Sequence, residues 1–351
     1  MAPTRQGGRG RPVLALFLLA PFVGEFLLGN LTVPELGLGV LLAPLYGCGA
    51  LLVREAGRRT GGGWPVIVLL AAAYALMEEG PVDQLLWNDS YAGQDLLHGP
   101  SYVPALGTSV ELVQAVLALH TVWSICVPIA LVEACVPQRR TTPWLGRTGL
   151  AVTGVVYVLG AALVFWGNYA EEHFLAPPAQ LALCGAVIAA LVVLALRLPS
   201  RRRPAAVPGV APAPWRVGAA ALVGTSLYWG PSVLVTADWF EWPGVGVWCA
   251  VAVAGAVVVP RWSRQEGWRP RHVCALAGGA LLTYVWAAFP VRPENGGSVT
   301  ADLVSNAVCA ALALAVLARA ARTARVAELD GPMHPAGPSR SAHFRARSYG
   351  G

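Results

Sequence analysis

Residues 178–197 read PAQLALCGAVIAALVVLALR, an apolar stretch whose one charged residue, Arg197, stands at its end. A helix of this length spans about 30 Å, which matches the hydrocarbon core of a bilayer. Similar blocks recur along the 351-residue chain, which is 56% hydrophobic and only 13% charged. A typical soluble domain is about 25% charged. The composition therefore predicts an all-α, polytopic membrane bundle whose main partner is the lipid bilayer.

About ten transmembrane helices are predicted, because ten apolar segments are long enough to cross the hydrocarbon layer. They lie at approximately 13–31, 37–53, 64–82, 109–135, 147–167, 178–197, 217–236, 243–260, 272–290 and 300–320.

The arginines predict the orientation. All 25 basic residues are arginine, which with the abundance of Ala, Gly, Val and Leu indicates a GC-rich bacterial genome. If the N-terminus lies inside and the helices alternate, 24 of the 25 arginines fall on the inner side and only Arg292 lies outside. Arginine in short loops favours the cytoplasmic side. We therefore expect a plasma-membrane protein with both termini cytoplasmic, and no nucleic-acid partner.

The sequence divides into regions by charge and by proline content. An Arg- and Pro-rich linker separates two membrane halves, and two halves of about five helices each would have opposite orientations, as in inverted-repeat transporters. The outer loop 83–108 either lies on the surface or dips back towards the membrane. The regions are 1–12, a cytoplasmic N-terminal segment; 13–197, a first half of about six spans; 198–214, the cytoplasmic linker; 215–320, a second half of about four spans; and 321–351, a disordered cytoplasmic tail.

Ionisable residues inside the predicted spans are the leading functional candidates, because burying a charge in a bilayer is costly. Glu25 lies in the first span, Glu78 and Glu79 near the outer end of the third, and His120 in the fourth. Neighbouring helix positions point about 100° apart. One glutamate can therefore face a cavity while the other pairs elsewhere. A carboxylate and an imidazole at matched depth form a workable acid–base pair, and Asp83 and Ser124 are further binding candidates.

This glutamate pair, followed by an embedded histidine, resembles the intramembrane proteases of the CAAX-protease and bacteriocin-processing type. In that family a glutamate is thought to activate water, with histidines assisting. The resemblance implies such roles for Glu78 or Glu79 and for His120. The chain departs from the family pattern in three places: Asp83 stands at the arginine position of E-E-x-x-x-R, Val116 at the Phe of F-x-x-x-H, and Ser124 at the Asn or Asp of H-x-x-x-N/D.

A second polar cluster, Glu171, Glu172 and His173, lies at the outer end of the fifth span. His120, His173 and one glutamate would supply the three protein ligands of a catalytic zinc, although a solvated polar loop explains the same residues. Glu133, at the inner end of the fourth span, is expected to meet Arg139 or Arg140. The seven cysteines include no CxxC pair, and no nucleotide-binding motif is present, so the sequence specifies no cofactor.

Three hypotheses remain open at this point. The chain is a transporter or permease-like protein with a polar site on the outer half of helices 1, 3 and 4. Alternatively, it is an intramembrane hydrolase acting on a membrane-protein substrate, or a scaffold in which His120 locks helix packing through a neighbouring polar group.

Overall fold

The computed structural model describes residues 10–198, 205–235, 237–293 and 296–329, and this part of the chain is almost entirely helical. All ten predicted apolar segments fall on helices. The α-helices are α1 (Gly10–Pro21), α2 (Leu36–Arg59), α3 (Gly63–Met77), α4 (Val110–Ala118), α5 (Val127–Cys135), α6 (Arg147–Glu172), α7 (Pro178–Arg197), α8 (Pro214–Leu234), α9 (Glu241–Ser263), α10 (Pro270–Ala287) and α11 (Val299–Leu329).

Eight helices in the described ranges are long and apolar enough to cross a membrane. The predicted first and ninth spans do not meet that measure. The first helix is short, because α1 and its continuation end at Phe26. Helix α10 begins with Pro270, Arg271 and His272 and is largely buried inside the bundle, so its surroundings are protein side chains and its own composition can be less apolar.

Three segments adopt π-helical geometry, in which a backbone N–H bonds the carbonyl five residues back. Phe22–Phe26 continues α1, Glu78–Val82 continues α3, and Leu119–Cys126 joins α4 to α5. The Leu27 N–H thus donates to Phe22 O at 2.9 Å, and the Asp83 N–H donates to Glu78 O at 2.7 Å.

Proline accounts for the location of these segments. Pro21 immediately precedes the first, Pro81 lies inside the second, and Pro128 follows the third by two residues. Proline has no N–H to donate and interrupts the regular ladder of bonds to the fourth residue back. The chain therefore departs from α-helical winding at these three places.

Helix α10 lies at the centre of the second half, against α8, α11 and α5. Its Tyr284 ring stacks on Trp123, with ring centroids 4.3 Å apart, and the Trp123 indole N–H donates to Ala280 O at 2.9 Å. A Cβ at Gly279 would approach Gly218 O to 2.2 Å. Glycine is therefore required where α8 and α10 cross.

The outer loop is folded over the helix ends. A short hairpin pairs β1 (Tyr102–Val103) with β2 (Thr108–Ser109). The Ser101 N–H donates to Glu241 Oε2 at 2.8 Å, and the Ala176 N–H donates to Gln84 Oε1 at 2.6 Å. Glu241 is the first residue of α9, and Ala176 lies between the end of α6 and the start of α7. The loop therefore lies across the ends of these three helices.

The linker and the tail contain more structure than their composition predicts. In the described part of the linker, Val207 and Ala211 donate backbone hydrogen bonds to Arg264 O and Glu266 O. Helix α11 extends to Leu329, into the region predicted to be disordered. The Ala- and Arg-rich sequence there favours helix, and Ala324 is buried. Residues 199–204 and 330–351 lie outside the described residues.

Candidate functional site

The three π-helical segments carry the ionisable candidates. Glu25 lies in the first, Glu78 and Glu79 in the second, and His120 with Ser124 in the third. None of these five residues is more than 9% exposed. The structure thus brings the predicted residues of helices 1, 3 and 4 into one closed interior site, at segments whose geometry often marks functional positions.

His120 is held between the two glutamates. Its Nε2 lies 2.7 Å from Glu79 Oε1 in a hydrogen bond. Its Nδ1 lies 3.0 Å from Glu78 Oε2, an ion-pair distance without hydrogen-bond geometry, and 3.2 Å from the Ser124 hydroxyl. Both glutamates, and not one alone, therefore reach the imidazole. The π-helical winding changes the angle between the neighbouring side chains, and each approaches a different ring nitrogen.

A third carboxyl group, that of Glu25, completes the site from the first helix. The Tyr46 hydroxyl donates to Glu25 Oε1, and Asn30 Nδ2 donates to Glu25 Oε2 at 3.2 Å. The rings of Tyr46 and Tyr74 stand 5.8 and 6.3 Å from the His120 ring, between centroids. Sequence reasoning missed Asn30 and both tyrosines, because a tyrosine inside a span carries no distinguishing pattern.

Close packing fixes these groups in place. A Cβ at Gly24 would lie 2.8 Å from Ser124 Oγ and 2.9 Å from Tyr46 Cε1. Such distances are shorter than real Cβ contacts. Glycine at this position therefore allows the first helix to approach the fourth at the level of His120.

Four buried carboxyl oxygens at the site have no hydrogen-bond partner among the described residues. They are both oxygens of Glu78, Glu79 Oε2 and Asp83 Oδ1. Asp83 as a residue is half-buried and stands at the end of the π-helical segment that holds the glutamates. Buried carboxyl oxygens normally find a partner, so these four atoms mark where a proton, a water molecule or a polar ligand would bind.

The cluster at the end of α6 does not join this site. Glu172 accepts hydrogen bonds from Asn88 Nδ2 at 3.0 Å and from the Ala92 N–H at 2.8 Å, so it ties down the outer loop. Glu171 and His173 are exposed, and His173 lies edge-on to Tyr169. Across the described ranges, no group of three His, Cys, Asp or Glu side chains is arranged to hold a metal ion.

A separate network of buried charges lies at the arginine-rich end of the bundle. Arg54 Nε donates to Glu133 Oε1 at 2.9 Å, and Arg58 donates to both Glu133 oxygens at 2.8 and 2.5 Å. The sequence predicts that Glu133 meets Arg139 or Arg140. Glu133 instead pairs with two arginines of helix α2. Arg54 also donates to the carbonyl oxygens of Arg139 and Arg140, so those residues contribute backbone rather than charge.

Arg54 and Glu55 are the most deeply buried members of the network, each with a fully buried side chain. The Arg54 guanidinium contacts Glu55 Oε1 at 2.8 Å and lies 3.3 Å above the Trp144 ring. Glu55 in turn accepts from the Trp144 backbone N–H at 2.7 Å. The network fixes the turn between α5 and α6 against the end of α2, which is a structural role.

Comparison of the chain with protein-family models, with curated proteins and with solved structures yields no match. The function must therefore be argued from the site.

Proposed function

We propose that the chain is a multi-pass protein of the bacterial plasma membrane, with about ten spans and both termini cytoplasmic, and that it carries out proton-coupled transport of a small solute. The observation that supports this most strongly is the His120 imidazole, held between Glu78 and Glu79 in a closed interior. Ionisable groups buried in this way are typical of proton relays in pumps and transporters.

Exposed apolar helix faces support insertion in a membrane. In the apolar windows of α6 and α9 only 11% and 6% of the residues are buried inside the protein. Large apolar side chains such as Val155, Leu159 and Val257 are more than half exposed. Soluble monomers rarely expose contiguous apolar surfaces of this size, whereas lipid tails solvate them.

The balance of charge supports proton binding. The site holds the carboxyl groups of Glu25, Glu78 and Glu79 around one imidazole, and within the described residues no arginine forms an ion pair with any of them. An unneutralised carboxylate is costly in an apolar interior, so protons bound at the site would offset its negative charge. Proton uptake or release would then change the attraction between helices 1, 3 and 4, which is the coupling that a transporter needs.

A hydrolase is the second candidate, and the 2.7 Å contact between Glu79 and His120 is the observation that favours it. A general base must reach the water that it activates. Here the imidazole has a carboxylate at each ring nitrogen, and His120 and Glu79 are 2% and 6% exposed. In this closed arrangement neither group faces a substrate, so we rank transport first.

Reconstituted vesicles separate these alternatives. The purified protein would be placed in liposomes that contain a pH-sensitive dye and exposed to a panel of sugars, amino acids, organic acids and cations. We expect one solute class to move protons, and we expect Glu79→Gln and His120→Ala to abolish that movement. His98→Gln, at an exposed histidine of the outer loop, is the matched control.

Other outcomes would count against transport. Cleavage of a single-span model substrate by the wild type but not by Glu79→Gln, without solute-driven proton movement, would establish the hydrolase. If neither activity depended on Glu79 or His120, the scaffold hypothesis would replace both.

A further inference from the structure

A cavity of about 630 Å³ opens at the arginine-rich end of the bundle, remote from the buried histidine. Its walls come from both halves of the chain: the end of α2, the start of α3, the end of α5, the following turn, the start of α10 and the end of α11. The residues that define its character are Arg58, Arg140, Arg269, Trp64 and Trp268.

The charges around this cavity do not balance. Glu133 is neutralised by Arg54 and Arg58, and Glu328 lies 3.7 Å from Arg271. In the described part of the chain, Arg140 and Arg269 line the cavity and have no carboxylate partner. Two guanidinium groups are therefore available to a ligand.

The backbone of each arginine is held in place. Arg140 O accepts from the buried Arg54 at 3.0 Å, and the Arg269 N–H donates to His272 Nδ1 at 3.0 Å. Arg269 directly precedes α10, so the positive end of that helix dipole also lies at the cavity. Such an arrangement favours an anion.

Much of the remaining lining is apolar, although Gln138 and Thr141 also contribute to it. The apolar residues are Ala130, Ala134, Val273 and Ala324, with the indoles of Trp64 and Trp268. Indole rings are typical of the membrane–water interface. A cavity lined by both apolar side chains and unpaired guanidinium groups matches a molecule with both a hydrophobic part and a phosphate.

We propose that this cavity binds a phosphate-bearing anion through Arg140 and Arg269. Guanidinium groups bind phosphate through paired, charge-assisted hydrogen bonds, and basic pockets between helices on the cytoplasmic side bind anionic lipid headgroups. The same chemistry would accept either the headgroup of an anionic phospholipid or free phosphate. The site does not depend on the transport proposal, because it shares no residue with the histidine centre.

Calorimetric titration of the purified full-length protein in mild detergent tests this site. The probes are dihexanoyl phosphatidylglycerol, dihexanoyl phosphatidylcholine and inorganic phosphate. The variant Arg140→Gln/Arg269→Gln is compared with Arg261→Gln/Arg264→Gln, which removes two exposed arginines from the end of α9 that do not line the cavity. Should the first variant fail to fold, Arg269→Gln alone, at an exposed position, replaces it.

We expect phosphatidylglycerol to bind more tightly than phosphatidylcholine. Losing the paired contacts should weaken this binding about tenfold in Arg140→Gln/Arg269→Gln, with little change in the control variant. Binding of phosphatidylglycerol alone would assign a lipid headgroup, and binding of inorganic phosphate as well would assign the free anion. Binding of neither anion, or equal weakening in both variants, would overturn the site.

Discussion

Glu133→Gln, an isosteric change at the arginine-rich end, is expected to destabilise the protein strongly. Glu133 is 5% exposed and accepts three hydrogen bonds from Arg54 and Arg58. The substitution preserves the shape of the side chain but removes its charge. The guanidinium groups of Arg54 and Arg58 then stay buried without the negative charge of Glu133.

The magnitude follows from the remaining partners. Breaking a buried ion pair by neutralising one member costs about 3–5 kcal/mol. Arg54 keeps Glu55 at 2.8 Å and its carbonyl acceptors. We therefore expect the free energy of unfolding to fall by about 3 kcal/mol, the lower end of that range.

The matched control is Glu328→Gln. Its partner Arg271 is 3.7 Å away and 43% exposed, and an exposed pair of this kind contributes below about 1 kcal/mol. Equilibrium unfolding in mixed detergent micelles, followed by circular dichroism, compares the two variants. An equal loss of stability in Glu133→Gln and Glu328→Gln would contradict a stabilising role for the network around Glu133.

Three further changes test the site and the outer loop. Gly24→Ala should cost about 1–3 kcal/mol of stability by overpacking the site, whereas Gly154→Ala, whose Cβ would meet nothing within 4 Å, should be neutral or stabilising in the same unfolding measurement. Tyr46→Phe should cost about 1–3 kcal/mol, because a buried oxygen of Glu25 loses its hydrogen-bond donor. The hydrogen bond that the His98 ring donates to the Asp95 carboxylate raises the pKa of His98 above its ordinary value, so Asp95→Asn should lower that pKa in an NMR titration. The pair favours the folded state below the ordinary histidine pKa, and this contribution disappears as pH rises through the folded pKa.

The helices could be predicted from the sequence because each prediction rests on the apolar character of many neighbouring residues together. The stretch 178–197 is apolar at nearly all of its twenty positions, so one polar residue within it does not change the prediction of a helix, and the stretch coincides with α7. The third and fourth predicted spans run antiparallel. Counting residues along them places Glu78, Glu79 and His120 at a similar depth in the membrane. The ten-span count and the orientation stay predictions.

The details of the site depend on geometry that a regular helix does not have. The π-helical winding near Pro21, Pro81 and Pro128 sets how the acidic side chains meet His120, and proline marks an interruption without specifying its form. Sequence reasoning missed Tyr46 and named the wrong partners for Glu133 for another reason. Their partners lie on helices distant in sequence, and only tertiary packing selects among the available ones.

Charge movement after a rapid pH change tests the proton-binding centre most directly. Proteoliposomes adsorbed on a solid-supported electrode would be switched between two pH values, and the transient current would be recorded. We expect the wild type and His98→Gln to give a transient that His120→Ala and Glu79→Gln lack. The same transient in all four proteins, or none in the wild type, would contradict a proton-binding role for the Glu78–His120–Glu79 centre.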